Sequence, residues 1–141
     1  MGRINWGRVI LGGFAAGVIM NVVESISNGV ILGKAWSVAV AQLDHTMEIG
    51  PGTLTALIIR VFVLAVLAVW LYAAIRPRYG PGPKTAVFAG LAVWLLSYLF
   101  TATGHIIAGL FPPGLNLASA GLSLVGVVAG TLLGGWFYKE A

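Results

Sequence analysis

Residues 9–31 read VILGGFAAGVIMNVVESISNGVI, and Glu24 is the single ionisable side chain in this apolar stretch. About 20 mainly apolar residues are enough for a helix to cross a bilayer, so the stretch predicts a membrane span. A carboxyl group at such depth costs free energy and marks either a functional site or a structural ion pair. The stretch therefore decides the class of fold and also locates a candidate site.

Three further apolar stretches, residues 54–75, 85–110 and 115–138, have the same character. The 141-residue chain is 59% hydrophobic and 9% charged, whereas soluble domains average about 25% charged residues. Long unbroken runs favour helices over the short alternating strands of a membrane barrel. We predict an all-α polytopic membrane protein in which residues 1–141 form one domain of four transmembrane helices.

The composition excludes several functional classes. The chain has no cysteine, which excludes disulfides and thiolate chemistry. The net charge of +4 comes from Lys and Arg residues beside the ends of the spans, so we expect a lipid bilayer and no nucleic acid as partner. No nucleophile–base pair or metal motif is recognisable, so an enzymatic activity stays uncertain and a non-enzymatic role is favoured.

The distribution of positive charge predicts the orientation. Lys and Arg cluster at the N-terminus, in the second connection and at the C-terminus, as Arg3, Arg8, Arg76, Arg78, Lys84 and Lys139. The first connection balances Lys34 with Asp44 and Glu48, and the third, around residues 112–114, has no charge. Because cytoplasmic loops carry the excess of positive charge, both termini are expected in the cytoplasm.

The first connection, residues 33–52, is long for a helical hairpin. Trp36, Val40, Leu43 and Met47 recur at helical spacing, which predicts a short helix on the outer membrane surface. Its polar residues Asp44, His45 and Glu48, approached by His105 from the third span, are possible ligands of a divalent ion. Solvated loop charges are commoner, and we assign no metal site.

The second connection, residues 76–86, is rich in proline and reads RPRYGPGPKTA. Pro77 is expected to end the second span and Pro83 to set the start of the third. Together with residues 6–13, WGRVILGG, and 135–140, GWFYKE, this loop resembles a group of small bacterial four-helix membrane proteins that share an R-P-R-x-G-P-G-P-K-T-A cytoplasmic loop. The resemblance implies a four-span protein of the bacterial inner membrane, and it carries over no functional residue.

Polar residues form stripes on three of the spans. The first carries Asn21, Glu24, Ser25 and Asn28, the second Arg60, and the third Ser97, Tyr98, Thr101 and His105. Stripes of this kind are expected to meet inside a bundle, away from lipid. At a rise of about 1.5 Å per residue, Glu24, Arg60 and His105 lie roughly 10, 12 and 7 Å from the outer ends of their spans. A Glu24–Arg60 ion pair with His105 as a third member is therefore predicted, either to fix helix register or to bind a ligand.

Glycine spacing predicts close helix packing. Gly126, Gly130 and Gly134 repeat every fourth residue, as do Gly13 and Gly17. Such faces allow close approach of helices, either within one bundle or between copies of the chain. The sequence leaves both arrangements open.

The leading functional prediction is a membrane protein that binds or passes a small solute or ion through an outward-facing polar pocket. The predicted ligand-binding residues are Asn21, Glu24, Asn28, Arg60, Tyr98 and His105. The alternative is an accessory subunit of a larger membrane complex, in which a histidine on an aromatic helix helps to hold a pigment or haem. Cofactor and ligand identity remain open, and a homo-oligomer or a larger complex is the expected assembly.

Overall fold

Four long helices dominate the computed structural model, which describes residues 3–45 and 48–140. We label the helices α1 (Trp6–Ile31), α2 (Gly33–Ala41), α3 (Pro51–Tyr79), α4 (Pro83–Ile107) and α5 (Pro113–Phe137). All except α2 are long and apolar enough to span a membrane, and the described residues contain no strand. The chain is an all-α polytopic membrane protein, as the hydrophobic runs predicted.

Proline marks the start of three of the long helices. Pro51, Pro83 and Pro113 each occupy the first helical position, where the missing N–H has no intrahelical partner to lose. The prediction that Pro77 ends the second span is wrong, because α3 continues through it to Tyr79. Within the last turn, one lost hydrogen bond does not stop the helix. The chain leaves helical geometry at Gly80, whose φ of 82° is in a region that favours glycine.

The predicted surface helix is present as α2, but it ends at Ala41. A turn follows in which Asp44 has a φ of 57°, so Leu43 lies beyond the helix. Met47, the last position of the predicted apolar face, lies outside the described residues. Trp36 fixes α2 to the bundle through an edge-to-face contact with Phe111, with ring centroids 5.4 Å apart.

The spans pack around a core of small residues. Helix α1 packs on α3 and α5, α4 packs on the same two helices, and α3 also contacts α5. Buried Ala16, Ala65, Ala68 and Ala89 allow the backbones to approach. Helices α1 and α4 consequently occupy opposite corners of the bundle.

The three glycines that repeat every fourth residue on α5 face α1 within the same chain. A Cβ atom built on Gly130 would lie 2.8 Å from Met20 Cγ, and one built on Gly126 would lie 2.9 Å from Val23 Cβ. A Cβ on Gly134 would lie 2.7 Å from the carbonyl oxygen of Gly12. Of the two arrangements that the spacing left open, the structure has the packing within one bundle.

The two ends of the bundle differ in character. The terminal end holds residues 3–8, 76–84 and 136–140, where the backbone N–H of Asn5 donates to the Tyr138 hydroxyl at 3.3 Å. Tyr72 packs edge-to-face on Tyr138 at the same end. The loop end holds residues 33–45, 48–54 and 105–115. The predicted polar residues lie in the half of the bundle toward the loop end.

Candidate ligand-binding site

A cavity of about 500 Å³ lies among the helices in the loop-end half of the bundle. Side chains from all five helices line it. The six residues that the sequence singled out for ligand binding all contribute to its wall: Asn21, Glu24, Asn28, Arg60, Tyr98 and His105. We call this space the loop-end cavity.

The Glu24 carboxylate is held by two donors. Ser123 Oγ of α5 donates to Oε1 at 2.8 Å, and Asn28 Nδ2 donates to Oε2 at 2.6 Å. The Asn28 amide oxygen in turn accepts from Ser119 Oγ at 2.7 Å and from Trp36 Nε1 at 3.0 Å. These five residues, which we call the Glu24 cluster, connect α1 to both α5 and α2. Hydrogen bonds to a charged acceptor are among the stronger ones, so the cluster fixes the wall of the cavity.

The predicted Glu24–Arg60 ion pair is wrong. Within the described part of the chain, the one ion pair with atoms closer than 4 Å joins Arg76 to Glu140. Residues 51–60 of α3 are all exposed, whereas the helix becomes buried from Val61 onward, so Arg60 lies where α3 leaves the bundle. Glu24 instead accepts hydrogen bonds from Ser123 of α5 and from Asn28 of its own helix. Arg60 lines the cavity without forming an ion pair with any described carboxylate.

His105 pairs with a residue that the sequence analysis did not select. Its Nδ1 lies 3.3 Å from Asn116 Oδ1, while the Asn116 amide nitrogen donates to the carbonyl oxygens of Pro112 and Phe111 at 3.2 and 3.3 Å. With the amide oriented in this way, Nδ1 is the donor to Oδ1. The expectation that His105 joins Glu24 and Arg60 is therefore wrong: its hydrogen bond fastens α4 to the start of α5.

Asn21 and Tyr98 complete the predicted set. Asn21 Nδ2 donates to the Gly17 carbonyl at 2.9 Å within α1 and reaches the Ile58 carbonyl of α3 at 3.4 Å. It thereby connects α1 to the part of α3 that leaves the bundle. Tyr98 lines the cavity from α4.

Two π-helical segments border the cavity. One is Ser25–Ile31 within α1, and the other is Leu95–Leu99 within α4. Ser25, Asn28 and Gly29 from the first and Tyr98 from the second line the cavity. The π-helix is rare and concentrates at functional sites, because its extra residue per turn re-aims side chains. Both segments therefore mark this half of the bundle as specialised.

Four residues that hydrogen-bond in the wall or the Glu24 cluster were not predicted as site residues: Trp36, Asn116, Ser119 and Ser123. A signal for three of them was present, since Asn116, Ser119 and Ser123 fall at i, i+3 and i+7 on α5. Ser123 and Asn116 are buried. A third polar stripe on the last span thus belongs with those on α1 and α4.

The α3 side of the cavity is apolar apart from Arg60. Leu54, Leu57, Ile58 and Val61 of α3, together with Ile49, line it. Within residues 3–45 and 48–140, no three His, Asp or Glu side chains are close enough to hold a metal ion, and Asp44, His45 and Glu48 do not gather with His105. The cavity is suited to an organic solute with one polar end.

Comparisons with known proteins identify no relative from which a function could be inferred. No protein-family model, no curated protein and no solved structure matches the chain.

Proposed function

We propose that this membrane protein is non-enzymatic and binds or passes a small solute or ion that carries an anionic group through the loop-end cavity. The observation that carries the proposal is Arg60, whose side chain lines the cavity without an ion-pair partner among the described carboxylates. An ionisable residue at membrane depth is a functional candidate by default. A guanidinium group offers a carboxylate or similar anion two parallel hydrogen bonds.

Glu24 supports the proposal through its hydrogen bonds. Because Ser123 and Asn28 already donate to its two oxygens, it does not compete for Arg60 by direct contact. Its negative charge still offsets the positive charge of Arg60 on the cavity wall. The polar atoms of Tyr98 and Thr101 remain on the wall for a solute to contact.

The size and lining of the cavity narrow the class of solute. Binding cavities for small molecules typically measure roughly 300–1,000 Å³, and the loop-end cavity, at about 500 Å³, is within that range. The α1, α4 and α5 side is polar, and the α3 side is apolar apart from Arg60, so a small organic anion with an apolar part matches the lining. An inorganic ion alone would leave the apolar wall without a contact.

The distribution of charge suggests which side of the membrane the cavity faces. We propose that the protein lies in a bacterial inner membrane with both termini in the cytoplasm, so that the cavity faces outward. This orientation is supported by the excess of Lys and Arg at the terminal end and by the sparse charge of the loop end.

Thermal unfolding of the purified protein tests binding. Short alkyl and aryl carboxylates are compared with their uncharged amides, using the wild type, Arg60→Gln and the control Arg78→Gln, which removes an arginine outside the cavity. An anion present at 100 times its dissociation constant stabilises the folded state by about 2.7 kcal/mol. We expect stabilisation of the wild type and Arg78→Gln by at least one carboxylate, no effect of its amide, and loss of the effect in Arg60→Gln.

Flux into proteoliposomes then separates passage from binding. Uptake of the stabilising carboxylate that is abolished in Arg60→Gln supports passage, while stabilisation without uptake supports binding alone. If no anion stabilises the wild type more than Arg60→Gln, and no flux is seen, the proposed function is wrong.

A further inference from the structure

A second cavity lies at the terminal end, far from the loop-end cavity along the helices. It measures about 340 Å³ and lies among α3, α4 and α5. Arg76, Tyr72, Leu132 and Trp136 line it. None of these residues takes part in the proposed solute site.

Arg76 is held in a fixed position at this cavity. Its guanidinium carbon lies 5.6 Å from the centre of the Tyr138 ring, over the ring face, and its Nη1 lies 3.4 Å from Glu140 Oε1. Nη1 and Glu140 form an ion pair but not a hydrogen bond. Both Nε and Nη1 are buried without a hydrogen-bond acceptor. Two of the three guanidinium nitrogens therefore lack a hydrogen-bond acceptor. An arginine positioned in this way has unused capacity for an anion.

Tyr72 supplies a second unused donor. Its side chain is buried, and its hydroxyl oxygen accepts the backbone N–H of Gly82 at 3.3 Å. The hydroxyl proton has no acceptor among the described residues. A buried O–H without an acceptor is costly, so an oxygen-rich ligand in the cavity would satisfy it.

The surroundings favour a ligand that is part of the membrane. Trp136 is 76% exposed and Tyr79 62% exposed at the same end, as expected of aromatic side chains at the level of lipid headgroups. Leu132 and Ala86 give the cavity an apolar side toward the interior of the bilayer. Basic pockets between spans bind anionic headgroups.

From these contacts we infer that the terminal-end cavity is a binding site for a phosphate ester, namely the headgroup of an anionic phospholipid, with Arg76 and Tyr72 as its donors. Glu140 lies beside the same guanidinium, so its carboxylate opposes the binding of the phosphate. The site does not depend on the proposed solute function, because Arg60 lies in the other half of the bundle.

Native mass spectrometry of the detergent-solubilised protein tests the inference with phosphatidylglycerol and phosphatidylcholine as probes. We expect the wild type to bind phosphatidylglycerol roughly tenfold more tightly than phosphatidylcholine, because the choline ammonium of the latter offsets the charge of its phosphate and is repelled by Arg76. Arg76→Gln should lose this preference. Arg78→Gln is the matched control, since Arg78 is exposed, at the same helix end, and outside the cavity. It should keep the preference.

Glu140→Gln provides a test that does not remove a buried charge. Because it removes the competing carboxylate, it should bind phosphatidylglycerol more tightly than the wild type does. Equal binding by the wild type and Arg76→Gln, or equal losses in Arg76→Gln and Arg78→Gln, would overturn the site. So would a Glu140→Gln variant that binds the lipid no better.

A soluble phosphate ester is the other source of the same chemistry. Glycerol 3-phosphate is therefore added to the lipid-free protein and thermal unfolding is followed. We expect no stabilisation at concentrations comparable with those of the lipid. Stabilisation that depends on Arg76 would overturn the lipid assignment in favour of a soluble ligand.

Discussion

Replacement of Gly134 by alanine tests how closely α1 and α5 pack. The new Cβ would lie 2.7 Å from the Gly12 carbonyl oxygen and would also meet Val69 Cγ2 and Ala16 Cβ. Ordinary van der Waals contacts are 3.4–4 Å, so the two backbones must separate by about 0.7 Å at this level. The obstructing oxygen belongs to the backbone, and no side-chain rotation can relieve the contact.

The magnitude follows from packing. A gap of 0.5–1 Å forfeits roughly a quarter to a half of each dispersion contact beside it. Overpacking of a well-packed core costs about 1–3 kcal/mol. Gly121→Ala on the same helix is the matched control, because no atom lies within 4 Å of a Cβ at that position. Both variants have the same helix-propensity gain of roughly 1 kcal/mol. We therefore expect Gly134→Ala to be about 1–3 kcal/mol less stable than Gly121→Ala.

Chemical unfolding in mixed micelles, followed by tryptophan fluorescence, measures this difference, and light scattering gives the oligomeric mass. Equal stabilities of the two variants would refute the close approach of α1 and α5. A Gly134→Ala variant that stays as stable as Gly121→Ala but loses oligomeric mass would place the glycine face between copies of the chain.

Four further outcomes are expected, three from the hydrogen bonds of the site and one from the distribution of charge. Ser123→Ala should destabilise the protein by about 1–3 kcal/mol in the same unfolding assay, because the Glu24 carboxylate loses a buried donor. In a double-mutant cycle with Glu24→Gln, Ser123→Ala should show coupling of at least about 0.5 kcal/mol, and additive losses would argue against the contact. Glu24→Ala and Arg60→Ala should instead be nearly additive, since no ion pair joins them; coupling of several kcal/mol would restore the pair. Reporter fusions after Arg78 and at the C-terminus should read cytoplasmic, and one after Gln42 external; the reverse pattern would reject the orientation.

The spans could be predicted because their signal is local. An apolar run of the required length determines a membrane helix before any packing is known. The end of α3 could not be predicted from Pro77 alone, since a proline in the last turn costs one bond and the helix can continue. The geometry of Gly80 ends the helix instead.

The members of the site were easier to predict than their partners. Periodicity showed which side chains share a face, and the stripes on α1 and α4 do line one cavity. The partner of Glu24 depends on how each helix is rotated about its axis. This rotation is set by the packing of α1 on α3 and α5, and the spacing of apolar residues does not reveal it. Depth in the membrane alone therefore favoured Arg60 as the partner of Glu24, whereas the rotation of the helices places Ser123 beside it.

Glycine spacing had a similar limit. It predicted a face that allows close approach, but the identity of the opposing surface is a tertiary property. The reciprocal contact of Gly12 and Gly134 resolves it.

Labelling of one introduced cysteine tests whether the cavity faces outward and admits a water-soluble anion. The chain has no cysteine, so Thr101→Cys and Phe100→Cys each carry a single thiol. Thr101 lines the cavity, while its neighbour Phe100 is 60% exposed at the same depth and does not. A membrane-impermeant maleimide added outside intact cells should label Thr101→Cys and leave Phe100→Cys unmodified, and a carboxylate that stabilises the wild type should slow the labelling. Equal labelling at both positions, or labelling of Thr101→Cys from the cytoplasmic side only, would contradict the account.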